Sequence, residues 1–236
     1  MGDAADWALP ERAFHLADRD NWAAIQRDGL HSAAVLIARA GLRGRAARPF
    51  AGYRDTGMQL PSGARLRDQR PMPPAALQRC LDDGLSPDDW YRLVNDKVFF
   101  WLDEDRLHRH VAACGKRPQL IVTVDLRALV ERHGSRAFVT PFNVGNARRR
   151  PAARGRRTFV PLAAWLTARW QSEAEPGAAP RARSHRPAEL AIAGSVPDLM
   201  ALVVAVRPAR QGRSPASAKA KDAAPRARQG KAPRAP

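Results

Sequence analysis

Few side chains in this sequence join a reactive group to a setting that could use it. His15 follows Ala13-Phe14 and could donate, accept or move a proton. Glu189 opens the weakly alternating run Glu189-Leu190-Ala191-Ile192. A carboxylate there could stabilise developing positive charge or take the proton of a nucleophile. Arg67 and Arg70, in Leu66-Arg67-Asp68-Gln69-Arg70-Pro71, carry the planar fork that matches phosphate oxygens. Val98-Phe99-Phe100-Trp101-Leu102 offers rings that could hold a flat ligand by stacking and keep water out. Ser32 offers a hydroxyl, and Asn143 an amide able to meet a ribose or a phosphate. Each also has a plainer use. A strand histidine bonds the backbone, Ser32 caps a helix, Asn143 makes a turn, Glu189 faces solvent, and the aromatic run is a buried strand. His108 and His110 do not read as a metal pair, because i,i+2 residues leave a helix on different faces. No Cys/His spacing suggests zinc, so no metal is expected.

The elements that must position these groups are legible in outline. Asp18 can cap a helix over 19–28 with Trp22 and Ile25 on one face, and Gly29 can end it in a left-handed turn. Ser32 can cap a second helix that stops at Gly41. Residues 43–63 read as a loop rich in Arg and Gly. Ser86-Pro87-Asp88-Asp89 combines a cap, a proline at the first helical position and an acid at the third. Val98–Leu102 and Leu120–Val124 are apolar runs of strand length. Asp103 and Asp125 can each cap the helix that follows. Strands are expected at 136–140, 188–192 and 202–206, and a helix at 161–170. Strands and helices alternate without regular βαβ spacing, so the fold class reads as α+β with a mixed, mainly antiparallel sheet. No GxGxxG and no Walker loop is present.

Length and charge bound the rest. The 236 residues, with six Trp and seven Phe, suffice for a single core over residues 1–206. Residues 207–236 hold nine Lys or Arg, one acid and little apolar surface, which reads as a disordered basic tail. The net charge of +17 favours polyanionic partners, DNA or RNA among them, without choosing one. Arg148, Arg149, Arg150, Arg154, Arg156 and Arg157 crowd one loop and are the candidate nucleic-acid contacts. Two isolated cysteines, Cys80 and Cys114, fit a reducing cytoplasm. The acidic start without an apolar core is no signal peptide, and no run of about 18 apolar residues could span a membrane.

The pattern Phe14-His15-x-Ala17, Asn21-Trp22, Ile25, Gly29-Leu30, Ser32 resembles the first motif of the ADP-ribosyltransferase superfamily. It is similar in style to the bacterial DNA-modifying toxins and the RNA 2′-phosphotransferases of that superfamily. The resemblance implies a split sheet with flanking helices and NAD as the substrate. It assigns His15 and Ser32 to the nicotinamide ribose and the backbone at Leu16-Ala17 to the nicotinamide amide. A threonine is commoner at the place of Ala17, so one hydroxyl is missing. Val98–Leu102 resembles the strand whose aromatic stacks on nicotinamide, with Phe99, Phe100 or Trp101 as the ring. Arg67 or Arg70 would meet the pyrophosphate. Arg186-Pro187-Ala188-Glu189-Leu190 resembles the segment of the catalytic glutamate, which makes Glu189 the group that stabilises the oxocarbenium character of the ribose. His-x-Ala, Asp-Gln-Arg-Pro, Asp-Trp-Tyr-x-Leu-x-Asn, Val-Phe-Phe-Trp, Phe-Asn-x-Gly and Pro-Ala-Glu-Leu together resemble an uncharacterised bacterial domain family. The expected activity is transfer of ADP-ribose to an acceptor, with nucleic acid favoured by charge. The competing expectation, from the absent hydroxyl and the basic excess, is a nucleic-acid- or nucleotide-binding protein without enzymatic activity.

Overall fold

Seven strands form one sheet in the order β11 (Val203–Pro208), β6 (Gln119–Asp125), β1 (Arg12–Asp18), β5 (Lys97–Trp101), β9 (Glu189–Ala193), β7 (Ala137–Thr140) and β8 (Val160–Pro161). The computed structural model describes residues 8–114, 117–148, 151–173 and 186–209. Every pairing within this sheet is antiparallel, so the sheet is not mixed as the sequence suggested. Two short ribbons flank it, β2 (Leu30–His31) with β10 (Ser195–Val196) and β3 (Met58–Gln59) with β4 (Arg65–Leu66). The helices are α1 (Trp22–Asp28), α2 (Ala33–Arg39), α3 (Gly44–Ala51), α4 (Pro74–Gln78), α5 (Pro87–Asn95), α6 (Glu104–Ala113), α7 (Leu126–His133) and α8 (Leu162–Ala168). The class is α+β.

Local chemistry sets most helix starts. Ser32 Oγ accepts from Val35 N, Asp103 from Arg106 N, and Asp125 from Ala128 N. Ser86 and Asp89 close a reciprocal capping box at α5. Asp18 accepts from Asp20 N and opens a single 3₁₀ turn that runs into α1. Two-residue alternation then sorts the strands onto two faces. Ala13, Ala17, Val98, Phe100, Val122, Leu190 and Ile192 pack against Leu126 and Leu129 of α7 and Leu162 and Trp165 of α8. On the opposite face Phe14, Leu16, Trp101 and Ile121 lie against Leu107 and Val111 of α6. Beside them Phe99, Phe138 and Ala191 pack with Trp90, Tyr91 and Phe159.

Three expectations need correction. Residues 44–51 are helical, because Ala47, Phe50 and Ala51 pack on Ile37, Leu60 and Leu66. The arginines and Pro49 of that segment mask its periodicity. Arg207 and Pro208 belong to β11, opposite Ile121 and Leu120, rather than to a tail. The rest of the tail, from residue 210, lies outside the described residues. Gly29 has φ +80° and ψ −173°, an extended mirror conformation rather than the left-handed helical one. Among the described residues no helix is long and apolar enough to cross a membrane.

Candidate functional site

The sheet parts between its third and fourth strands. β1 and β5 share one pair, Phe14 opposite Trp101, whereas β1 pairs along its whole length with β6. The backbone orientation follows from neighbouring bonds. Leu102 N–H donates to Ala188 O across β9, and Arg19 N–H donates to Pro118 O beyond the β6 side of β1. Alternation then turns Phe99 and Trp101 of β5, and Phe14 and Leu16 of β1, toward each other. The next ladder pair, Leu16 with Phe99, does not form. The His15 ring reaches into the gap instead, and its Nδ1 donates to Phe99 O at 2.9 Å. Leu16 therefore presents an N–H and a C=O to the gap with no ladder partner on that side among the described residues.

His15 is fixed in one useful form. A carbonyl can only accept, so Nδ1 carries the hydrogen and Nε2 is a bare acceptor. Burial, reinforced by the nearby Arg67 cation, pushes its pKa below the usual histidine value against the raising effect of the Phe99 bond. The ring is neutral at pH 7. Its centroid is 5.7 Å from that of Phe100. The exposed Arg67 touches Cys114 Sγ and acts electrostatically on both His15 and His110. His110 lies on Trp101, with ring centroids 5.1 Å apart, and burial with Arg67 holds its pKa down at about 4. Arg67, His110 and Trp101 thus stand together on the α6 side of the gap.

Glu189 lies apart from His15. Trp101, Glu189 and Thr140 are directly opposite one another on β5, β9 and β7, and Phe14 continues the row. Residues opposite one another share a face, so Glu189 shares one with Phe14 and Trp101 while His15 belongs to the other. The expected single open cleft holding His15, an aromatic and Glu189 is not assembled. Glu189 is 4% exposed. Its Oε2 is 3.1 Å from both Thr140 Oγ1 and Val144 N. Burial lifts its pKa to about 7, against the lowering effect of those bonds and of Arg106 and Arg154. Thr140 Oγ1, with one hydrogen, is also 3.0 Å from Phe142 O. A protonated Glu189 completes the chain, donating to Thr140 while Thr140 donates to Phe142 and Val144 N–H donates to Glu189. Ionised Glu189 takes the threonine hydrogen and strips Phe142 of it.

The other candidate residues separate clearly. Arg67 acts electrostatically on His15, whereas among the described residues the exposed Arg70 contributes only its carbonyl, 3.5 Å from Arg148 Nη2. Phe100 is fully buried in the α7/α8 core and cannot stack on a ligand. Phe99 is half-buried against Phe159, and Trp101, 9% exposed, lies beside His110. Ser32 is 2% exposed and spends its hydroxyl on the α2 cap. Ala17 is 2% exposed in the core, so a hydroxyl there would be buried too. Asn143 Oδ1 accepts from Gly145 N within its own turn, one residue before Val144, rather than pointing at the gap.

The described arginines of the loop do not form one basic face. Arg154 is 1% exposed, bonds the carbonyls of Ala152 and Val144, and lies over the rings of Trp90 and Phe142. It is a structural residue and cannot meet nucleic acid. Arg157 is ion-paired with Asp83 at 2.8 Å, and Arg156 N also binds Asp83. Arg148 and Arg156 remain exposed. Arg149 and Arg150 lie outside the described residues.

One supporting network was not foreseen. Arg54, 5% exposed, donates from Nε to Arg67 O at 2.9 Å, from Nη2 to Asn95 Oδ1 at 3.0 Å, and from Nη1 to Phe50 O. Gln69 joins it by bonding Arg54 N and Asn95 Oδ1. These bonds hold the Arg67 backbone beside the gap. Burial lowers the Arg54 pKa to about 10, which leaves it charged. Gln69 and Asn95 belong to the Asp-Gln-Arg-Pro and Asp-Trp-Tyr-x-Leu-x-Asn patterns, so part of the signal was present. Arg54 stands in no pattern. A cavity of about 500 Å³ between α2 and α5, lined by Ile37, Leu93, Asp89 and Arg156 among others, contains none of the candidate NAD-binding or catalytic residues. Among the described residues no group of three His, Cys, Asp or Glu is placed to hold a metal ion.

A family described as "Family of unknown function (DUF7002)" matches residues 11–203. The chain belongs to that family. No curated protein and no solved structure matches it.

Proposed function

We propose that the chain is an ADP-ribosyltransferase-fold protein that binds the nicotinamide end of NAD in the gap between β1 and β5 and transfers ADP-ribose. One observation carries the reading. Beyond Phe14 the strand edge at Leu16 offers a donor and an acceptor without a ladder partner among the described residues, beside a neutral His15 with a bare Nε2 and the Arg67 guanidinium. A primary amide is complementary to such an edge, with its N–H₂ meeting the carbonyl and its C=O meeting the N–H. A ribose hydroxyl can donate to Nε2, and Arg67 suits a pyrophosphate. Trp101 is the ring best placed to cover the pyridine.

In the reaction the bond from ribose C1′ to the nicotinamide nitrogen breaks and its electron pair leaves with nicotinamide. The acceptor nucleophile bonds C1′, and its proton passes to a base. Glu189 is the carboxylate for that proton and for the charge on the ribose. It stands one strand beyond Trp101 and is held by Thr140 at the end of β7 and by Val144 of the loop that follows β7. Catalysis therefore requires that loop to release it.

The test is incubation with NAD labelled in the nicotinamide, with DNA, RNA and protein offered as acceptors. Wild type releases nicotinamide, and Glu189→Gln slows release by about 10²- to 10⁴-fold. His15→Phe, which fills the space without an acceptor nitrogen, weakens NAD binding. A wild type that neither binds nor consumes NAD with any of these acceptors refutes the proposal. The burial of Glu189 behind Trp101 favours a second reading, a nucleotide-binding protein that does not transfer. That reading predicts NAD binding without nicotinamide release and an affinity unchanged in Glu189→Gln.

A further inference from the structure

We propose that the cavity at the end of the sheet, where Glu189 enters β9, is a binding site for the phosphate of a nucleotide or nucleic-acid strand. The cavity has a volume of about 300 Å³ and is lined by Pro10, Leu102, Asp103, Arg106, Arg186 and Pro187. These residues come from the segment leading into β1, the end of β5 with the start of α6, and the segment leading into β9. Leu102 and Ala188 are joined by a backbone bond of 3.2 Å, so the wall is part of the sheet.

Two arginines line this space. Arg186 is exposed and makes no ion pair or side-chain hydrogen bond among the described residues. Arg106 approaches Asp103 only to 3.7 Å, through Nε, which is an electrostatic contact rather than a hydrogen bond. Asp103 gives its other oxygen to the Arg106 backbone as the helix cap. Among the described residues, two cations against one carboxylate leave a positive site with donors to spare, the arrangement that recognises a phosphate by paired N–H···O bonds. Pro10, Leu102 and Pro187 supply an apolar wall that suits the sugar attached to the phosphate better than it suits a hydrated inorganic ion. The volume fits a phosphate with its sugar and little more.

The position gives the site a purpose. Arg106 already acts on Glu189 electrostatically, and Pro187 is two residues ahead of it. A phosphate bound here would bring the strand it belongs to against the end of the sheet from which Glu189 is reached. The site is thus the acceptor's phosphate subsite, a role that rests on the transfer reaction proposed above. Phosphate recognition itself does not depend on that reaction.

The test uses the full chain and small probes, so that the basic tail does not dominate. Calorimetry follows inorganic phosphate, thymidine 5′-monophosphate and a 5′-phosphorylated dinucleotide, without NAD. Arg106→Gln/Arg186→Gln is compared with Arg45→Gln/Arg109→Gln, which removes the same charge from exposed positions outside the cavity. Circular dichroism melts check that both remain folded. Saturable binding of a nucleotide probe by wild type and the control, weakened at least tenfold in the cavity variant, supports the site. The mononucleotide alone points to a free nucleotide, and added affinity for the dinucleotide points to a strand. Equal weakening in both variants, or no saturable binding by wild type, overturns it. Loss of phosphate binding in the cavity variant from a protein that never releases nicotinamide leaves the site standing and refutes the transfer reaction instead.

Discussion

Removing the charge of Glu189 without changing its shape should make the protein more stable at neutral and alkaline pH. Glu189 titrates in the fold near pH 7 instead of its ordinary 4.5, because burial opposes the carboxylate. The folded state therefore binds the proton more tightly than the unfolded chain does. The stability this gives is fully present below pH 4.5 and is lost as pH rises toward 7. At about 1.4 kcal/mol per pH unit, the difference amounts to about 3 kcal/mol. Glu189→Gln keeps an oxygen for Val144 N–H and Thr140 but cannot ionise. Urea denaturation of both proteins from pH 4.5 to 8.5 isolates the effect, since every other group titrates in both and cancels. The stability of the glutamine variant relative to wild type should rise by about 3 kcal/mol across this range, most steeply between pH 5 and 7. A difference that stays flat to within about 0.5 kcal/mol, or one that grows as pH falls, would refute the burial argument. The same titration bears on catalysis, because a base must be ionised. Nicotinamide release should climb through pH 7 and level off above it.

Two further substitutions probe the scaffold. Arg54→Met should cost about 3 kcal/mol by leaving Arg67 O and Asn95 Oδ1 without their charged donor. A thermal melt should show a fall of about 6–12 °C, and a fall under 2 °C would mean the network is dispensable. Gly29→Ala should destabilise by about 3 kcal/mol, because only glycine readily adopts this backbone and a Cβ would overlap the Pro197 backbone. A variant as stable as wild type would show that the α1–β2 turn and the segment after β10 can move apart.

What the sequence could reveal follows the range of the interactions involved. The caps at Ser32, Ser86, Asp103 and Asp125 act over three residues, and all four were legible. So were the strands carrying His15, Phe99 and Glu189, of which the Phe99 strand is a continuous apolar run and the Glu189 strand a weakly alternating one. The helix at 44–51 was hidden because its apolar contacts, Ile37, Leu60 and Leu66, come from outside it. The faces of the sheet were hidden for a sharper reason. Whether His15 and Glu189 share a face depends on the registers of β1 with β5 and of β5 with β9, and a slip of one residue reverses the answer. Nothing local encodes those registers. Arg154 shows the same limit. Six arginines in ten residues look like one solvated cluster, yet one of them fills the space between Trp90 and Phe142.

The gap between β1 and β5 explains why His15 matters even though its strand turns it away from Glu189. A continued ladder would pair Leu16 with Phe99. The imidazole takes the Phe99 carbonyl instead, at 2.9 Å, and so supplies the bond that the missing pair would have made. On the proposed function the histidine props the sheet open, and the backbone at Leu16 serves as the binding edge. Replacing it with alanine would remove the prop as well as the acceptor nitrogen. A loss of NAD binding in that variant could then reflect a closed gap. His15→Phe separates the two roles, since the larger ring still blocks pairing while offering no acceptor. Should the phenylalanine variant bind NAD as wild type does, the acceptor nitrogen has no part in recognition and the edge at Leu16 carries it alone.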